Sequence, residues 1–187
     1  MKPTPEQIKK INHFSKVKIE NCKKIADVVT LEKCKSGTHL FKEGDTGDTM
    51  ILVFQGQVEV SKDMMVKTSS GFTTSRKSII RLETTDPKPE KKSETESTVF
   101  VVEAPAFGIG EFSLVLDNAI RTAHVHSTTP LKYGILKLED FTKIVKENPG
   151  IGGNVYFEVA KSAVNNLATV SGDVSNLTQA FFYALSR

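Results

Sequence analysis

The stretch Gly37-Thr-His-Leu-Phe-Lys-Glu-Gly-Asp-Thr-Gly-Asp-Thr-Met-Ile-Leu-Val-Phe-Gln-Gly-Gln-Val-Glu-Val60 carries short apolar runs at Leu40-Phe41, Met50 to Phe54 and Val58 to Val60. Glycine-centred breaks at Gly37, Gly44-Asp45, Gly47-Asp48 and Gly56 separate them. Short apolar runs bounded in this way read as strands joined by tight turns, because an amphipathic helix would repeat its apolar positions three and four residues apart. The pattern continues through Ile79 to Leu82, Val99 to Val102, Arg121 to Val125 and Lys132 to Leu138. Strands that follow one another without intervening helices predict an all-β roll or barrel.

Helical spacing flanks this region on both sides. Between residues 5 and 31 the apolar positions Ile8, Ile11, Phe14, Ile19, Cys22, Ile25, Ala26 and Val29 predict short amphipathic helices that cap a sheet. After Leu138, Glu139-Asp140 opens a helix carrying Phe141, Ile144 and Val145, and Asn148-Pro149-Gly150 closes it. A longer helix follows. Its Tyr156, Ala160, Ala163, Leu167, Val170, Val174, Leu177 and Phe181 alternate in steps of four and three, a heptad seam that predicts pairing with the same helix of a second copy. The alternative is a helix lying on its own β-domain, and Ser171-Gly172-Asp173 is expected to break it.

The expected division is N-terminal helices over 1–30, a β-roll over 31–138 and C-terminal helices over 139–187. Within the roll, Ser61 to Ser97 is rich in Ser, Thr and Lys, with Pro87, Pro89 and the run Glu90 to Glu96. It holds too little apolar content for a core of its own, which predicts an extended insertion hairpin over 61–98 with a mobile tip. The alternative is a docking or phosphorylation loop at Ser78, after Arg76-Lys77.

Composition narrows the function classes. The 187 residues suffice for one sizeable core, and 39% hydrophobic with 25% charged residues is ordinary for a globular chain. A net charge of +3, from 25 basic and 22 acidic residues, gives no electrostatic case for nucleic acid or an anionic membrane. Cys22 and Cys34 form no C-x-x-C motif, so two structural thiols in a reducing compartment are expected. No run approaches the roughly 18 apolar residues of a membrane span, and Met1-Lys-Pro-Thr-Pro-Glu6 lacks a signal core. A cytoplasmic location without membrane attachment is expected.

A second stretch carries the candidate chemistry: Phe107-Gly-Ile-Gly-Glu-Phe-Ser-Leu-Val-Leu-Asp-Asn-Ala-Ile-Arg-Thr-Ala123. Glu111 can accept bonds from sugar hydroxyls, and Arg121 can grip a phosphate diester. A glycine-acid pair ahead of a basic-hydroxyl pair suggests a pocket for a small phosphorylated nucleotide.

Together the two stretches resemble the cyclic nucleotide-binding domain family, the first its opening glycine-rich strand pair and the second its phosphate-binding cassette. Phe14-Ser-Lys-Val17 and Leu31-Glu-Lys-Cys-Lys-Ser-Gly37 also fit, so the resemblance covers about residues 14–150. It implies a mainly β fold, a double-stranded β-helix or jelly-roll β-roll with N-terminal helices and a long C-terminal helix. It implies a non-enzymatic cAMP or cGMP sensor that transmits binding through that helix. Glu111 would accept the ribose 2′-hydroxyl, Arg121 would pair with the cyclic phosphate and Gly110 would let the backbone approach the sugar. Backbone N–H groups from Phe112 through Ser113 to Leu114 would add an anion site. Thr122 would bond the phosphate or a guanine edge, a tilt toward cGMP, with Ala123 closing the segment. Phe100, Asn165 and Asn166 are the candidate base contacts, since an amide can offer a purine edge one donor and one acceptor.

The layout is similar to the catabolite activator group, whose long helix forms a dimer, but no helix-turn-helix follows the seam before Arg187. A homodimer with an unidentified effector, no DNA-binding domain and no cofactor or metal besides the nucleotide is therefore expected. Ala106-Phe107 and Ser113 depart from the family pattern, and the hairpin insertion is longer than usual. Two alternatives stand beside this reading. One is a ligand-free dimerisation module of the same fold. The other is a metal-dependent cupin-like enzyme built on His124-Val-His126, against two exposed strand histidines without a metal role.

Overall fold

The computed structural model describes residues 2–69, 71–89 and 99–185. It opens with α1 (Pro5–Lys9), a 3-10 turn (Asn12–Phe14) and α2 (Ile19–Val28). Among the described residues nine strands follow: β1 (Thr30–Cys34), β2 (His39–Phe41), β3 (Thr49–Gln55), β4 (Gln57–Thr68), β5 (Gly71–Thr84), β6 (Phe100–Ala104), β7 (Phe107–Ile109), β8 (His124–Ser127) and β9 (Leu131–Lys137). A 3-10 turn (Glu111–Leu114) interrupts them, and α3 (Leu138–Glu147) and α4 (Pro149–Leu185) follow. The strands form two sheets, in the orders β1-β9-β3-β7 and β2-β8-β4-β5-β6, antiparallel except for β5 beside β6. This is a jelly-roll β-roll with flanking helices.

β3 explains how one short chain builds two cores. Successive strand side chains point to opposite faces. Ile51 and Val53 enter the roll interior with Val58, Phe107, Ile109, Val125, Leu131 and Tyr133. Met50, Leu52 and Phe54 face the other way, onto Ile8, Ile11, Phe14, Cys22 and Ile25 of the N-terminal helices and Phe141, Ile144, Ile151, Val155 and Val159 of the C-terminal ones. A strand covered on both faces reads as a continuous apolar run, as Met50 to Phe54 does. Truncating the fully buried Leu52 to Ala should cost about 2–5 kcal/mol.

Several sequence expectations need correction. Ile19 is exposed, because its position at the first turn of α2 faces away from the core. The strand expected from Arg121 spans only His124–Ser127, leaving Arg121 and Thr122 outside any strand or helix. The hairpin starts at Gln57, and Ser78 sits mid-strand in β5, its hydroxyl donating to Glu59, rather than in a loop. Residue 70 and residues 90–98 of the expected insertion lie outside the described residues.

α4 runs unbroken through Ser171-Gly172-Asp173. One glycine costs roughly 1 kcal/mol relative to alanine, which a long helix absorbs. Its domain-facing stripe is Ile151, Gly152, Val155 and Val159, one position ahead of the heptad seam. Adding a Cβ at Gly152 would drive it into Val145, so the glycine permits close approach of α3 and α4. Beyond the first turns the seam is unburied: Leu167, Val170, Val174, Leu177 and Phe181 are all exposed. The helix therefore lies on its own domain only at its start.

Candidate functional site

Arg121 anchors the site. The residue is 8% exposed, and its guanidinium carbon lies 3.7 Å from the centroid of the Phe41 ring. Nη2 donates to Thr49 O at 2.7 Å and Thr49 Oγ1 at 3.1 Å. The backbone is fixed independently, with Arg121 N–H donating to Asp45 O and Gly44 N–H donating to Arg121 O. Burial lowers the pKa of the guanidinium from its ordinary value, while Asp48 and Glu111 act in the opposite sense. An arginine stays charged under such a shift, so the fold holds a partly dehydrated cation.

Two glycines make room for that cation. A Cβ at Gly47 would collide with Arg121 Nε and the guanidinium carbon, and one at Gly110 would collide with Arg121 Nη1 and the Phe41 ring. Gly110 also has φ +78°, a left-handed conformation that costs a side-chain-bearing residue roughly 1–2 kcal/mol. The Gly110-Glu111 step turns the chain from β7 into the following 3-10 turn. The Ser113 hydroxyl and N–H both donate to Gly110 O, tightening it.

Around these groups lies a cavity of about 140 Å³ bounded by Phe41, Glu111, Phe112, Arg121, Thr122 and Val125, with Gly110, Ser113 and Ala123 also in its wall. Leu114 belongs elsewhere: its side chain is in the helix-side core, so only its backbone could face a ligand. Ser113 N–H is engaged by Gly110 O, which removes one donor from the anion site expected over Phe112 to Leu114. Glu111 and Arg121 form no ion pair with each other.

A larger cavity of about 590 Å³ shares Gly110, Glu111, Phe112 and Thr122, and extends to His13 and to Ser162 and Asn166 of α4. Of the candidate base contacts, Asn166 borders it. Asn165 does not; it is exposed on α4, and its carbonyl accepts from the Thr169 hydroxyl. Phe100 is 81% exposed on edge strand β6, outside the cavity wall that Val102 and Ala104 of the same strand join. A third cavity of about 380 Å³ lies on the other flank of Arg121, bounded by Lys42, Asp45, Asp48 and Thr49 among others. Arg121 thus stands between two openings.

The expected exposed histidines are a correction. His124 is 3% exposed, packed among Glu43, Asp63 of β4 and Arg76 of β5. Its Nδ1 accepts from Glu43 N–H at 3.2 Å, and its Nε2 lies 3.1 Å from both Asp63 Oδ2 and Arg76 Nη2. Both imidazole nitrogens are occupied within the protein. His126 is half-buried beside Glu59, where Arg81 binds Glu59 Oε2 at 2.8 Å. Burial would raise the Glu59 carboxyl, but the Ser78 and Arg81 hydrogen bonds hold it below its ordinary range. Among the described residues no group of three His, Cys, Asp or Glu side chains is arranged to hold a metal ion.

Phe41, Gly47 and Thr49 were invisible as site residues in the sequence, where they read as strand and turn positions. His13 gave no signal either. None of the four lies near the cassette in the chain.

The fold is that of the cyclic nucleotide-binding domains. The chain is similar to a cyclic nucleotide-binding domain from Methylobacillus flagellatus KT (21% identity, TM-score 0.60, 88% of this chain and 76% of that one). It is also similar to the N-terminal domain of a transcriptional regulator from Streptomyces coelicolor A3(2) (19% identity, TM-score 0.62, 88% and 94%). A third is the Thermus thermophilus catabolite activator protein (17% identity, TM-score 0.63), of which this chain covers 63% of the length with 89% of its own. At such identities the likeness concerns the fold alone. No protein-family model and no curated protein sequence matches the chain.

Proposed function

We propose that this protein is a cyclic nucleotide sensor, a regulator without catalysis of its own, in which Glu111 receives the ribose 2′-hydroxyl and Arg121 the cyclic phosphate. The observation that carries this reading is the glycine-lined seat of Arg121. A buried guanidinium is costly unless it has a counter-charge or strong acceptors, and Thr49 supplies neutral acceptors only. Asp48 and Glu111 favour the charge from a distance but form no ion pair with it, and a phosphate diester supplies an anion in direct contact through charge-assisted bonds, for which Arg presents a planar fork that Lys cannot reproduce. Glu111, unpaired with Arg121, is left to accept from hydroxyl groups at the same cavity.

Gly110, Phe112, Ser113, Thr122 and Ala123 form the rest of the ligand wall, with Leu114 contributing only backbone. Thr122 tilts the reading toward cGMP without excluding cAMP. Among the candidate base contacts we retain Asn166, because it borders the larger cavity. In this reading the purine lies between the roll and α4, and the exposed seam of α4 pairs with a second copy, so that occupancy is transmitted through the helix. Among the described residues no helix is long and apolar enough to cross a membrane, and a cytoplasmic regulator acting on an unidentified effector fits the reading.

Calorimetric titration with cAMP and cGMP tests it, alongside melting temperature. A ligand that binds the folded state must raise the melting temperature once its concentration exceeds Kd. If neither nucleotide does so at millimolar concentration, the ligand-free dimerisation module replaces this reading.

A further inference from the structure

His13 sits at the junction of three elements. It lies in the 3-10 turn Asn12–Phe14, which packs against both β7 and α4, and it is 4% exposed. Neither Nδ1 nor Nε2 has a hydrogen-bond partner, although both are out of solvent's reach. An unpaired buried donor or acceptor costs roughly 1–3 kcal/mol, so native structures retain few of them. An apolar side chain would fill this place in the core at no such cost. The imidazole is the only such side chain in the wall of the 590 Å³ cavity among the described residues, and Glu111 is in the same wall.

We propose that His13 is a ligand-contacting residue of the cyclic nucleotide site, bonding the nucleoside part of the ligand from the wall of the larger cavity. The inference rests on the reading of Glu111 and Arg121 given above. A neutral imidazole offers one donor and one acceptor, the set that a sugar hydroxyl or a purine edge can satisfy. The phosphate is a poor match here. Burial disfavours the imidazolium, and the neighbouring carboxylates of Glu111 and Glu158 would repel an anion. Because both nitrogens are occluded, the contact requires the ring or its turn to shift. That turn packs on α4, so the same contact passes ligand occupancy to the helix.

The test uses the full chain and three proteins: wild type, His13→Phe and His13→Gln. Phenylalanine keeps the ring and removes both nitrogens, whereas glutamine keeps one donor and one acceptor. His13→Phe should be at least as stable as wild type and bind cAMP or cGMP about tenfold more weakly, the effect of one lost hydrogen bond. His13→Gln should bind within about threefold of wild type. In histidine-labelled wild type, the ring nitrogen resonances of His13 should move on saturation with nucleotide. A stable His13→Phe protein that binds as tightly as wild type, or ring resonances that stay put at saturation, overturns the assignment. If His13→Phe fails to fold, the resonance measurement alone decides. Wild type that binds neither nucleotide overturns the underlying reading and this inference with it, an outcome distinct from binding that ignores His13.

Discussion

Replacing Gly47 with Ala probes the seat of Arg121 without touching a residue assigned to the ligand. Gly47 is not in the left-handed region, so alanine adds no backbone strain there, and its Cβ meets only the end of a flexible side chain. The guanidinium must therefore leave, giving up its two bonds to Thr49 and its contact with the Phe41 ring. Hydrogen bonds to a charged group are worth about 1.5–3 kcal/mol each and a desolvated cation–π contact about 2 kcal/mol. Regained hydration of the displaced cation offsets much of this, leaving a stability loss of about 1–3 kcal/mol. In a chain of this size that lowers the melting temperature by roughly 2–10 °C.

The effect on ligand should be larger. A phosphate pairing that loses one or two charge-assisted bonds weakens by about ten- to a thousandfold. Calorimetry on Gly47→Ala, Arg121→Ala and the double variant separates the routes. If Gly47→Ala acts through Arg121, the double variant binds no worse than Arg121→Ala alone, because each removes the same interaction. Wild-type affinity in Gly47→Ala, or strictly additive losses in the double variant, would refute the placement of Arg121 at the phosphate.

Other outcomes follow from the same geometry. Leu167→Lys, on the exposed seam of α4, should lower the mass in sedimentation analysis if the seam joins two copies; an unchanged dimer mass would count against it. Tyr133 is pushed up to about 12, first by burial and then by its hydrogen bond to Glu32, so its neutral form is favoured by folding. Stability linked to Tyr133 should therefore be full below its ordinary value of 10 and decline as the pH rises toward about 12, with Tyr133→Phe flattening that decline in denaturant titrations. Burial lowers His13 below the ordinary imidazole value of 6.5. Its contribution should be full above pH 6.5 and fade as the pH falls below it, and His13→Phe should be less sensitive in that range.

Much of the fold is legible in the chain because its signals are local. The continuous apolar run from Met50 to Phe54, the glycine breaks at Gly44, Gly47 and Gly56, and the helical spacing of Ile8, Ile11 and Phe14 need only short-range sterics and burial. The break expected at Ser171-Gly172-Asp173 failed for the converse reason: a local propensity of about 1 kcal/mol cannot outweigh a long run of helix hydrogen bonds.

For the site, the chain alone determined which groups could carry the chemistry: Glu111, Arg121 and the glycine ahead of them stand in one short segment. It could not say where the guanidinium rests. Thr49, Phe41 and Gly47 reach Arg121 only because β2, β3 and the turn between them fold against the cassette, and no spacing rule links positions so far apart. His13 is more distant still. Its burial, its unpaired nitrogens and its place beside Glu111 come into being only when the N-terminal turn docks on β7 and α4, since hydrogen-bond satisfaction is a property of the packed surroundings and not of the residue.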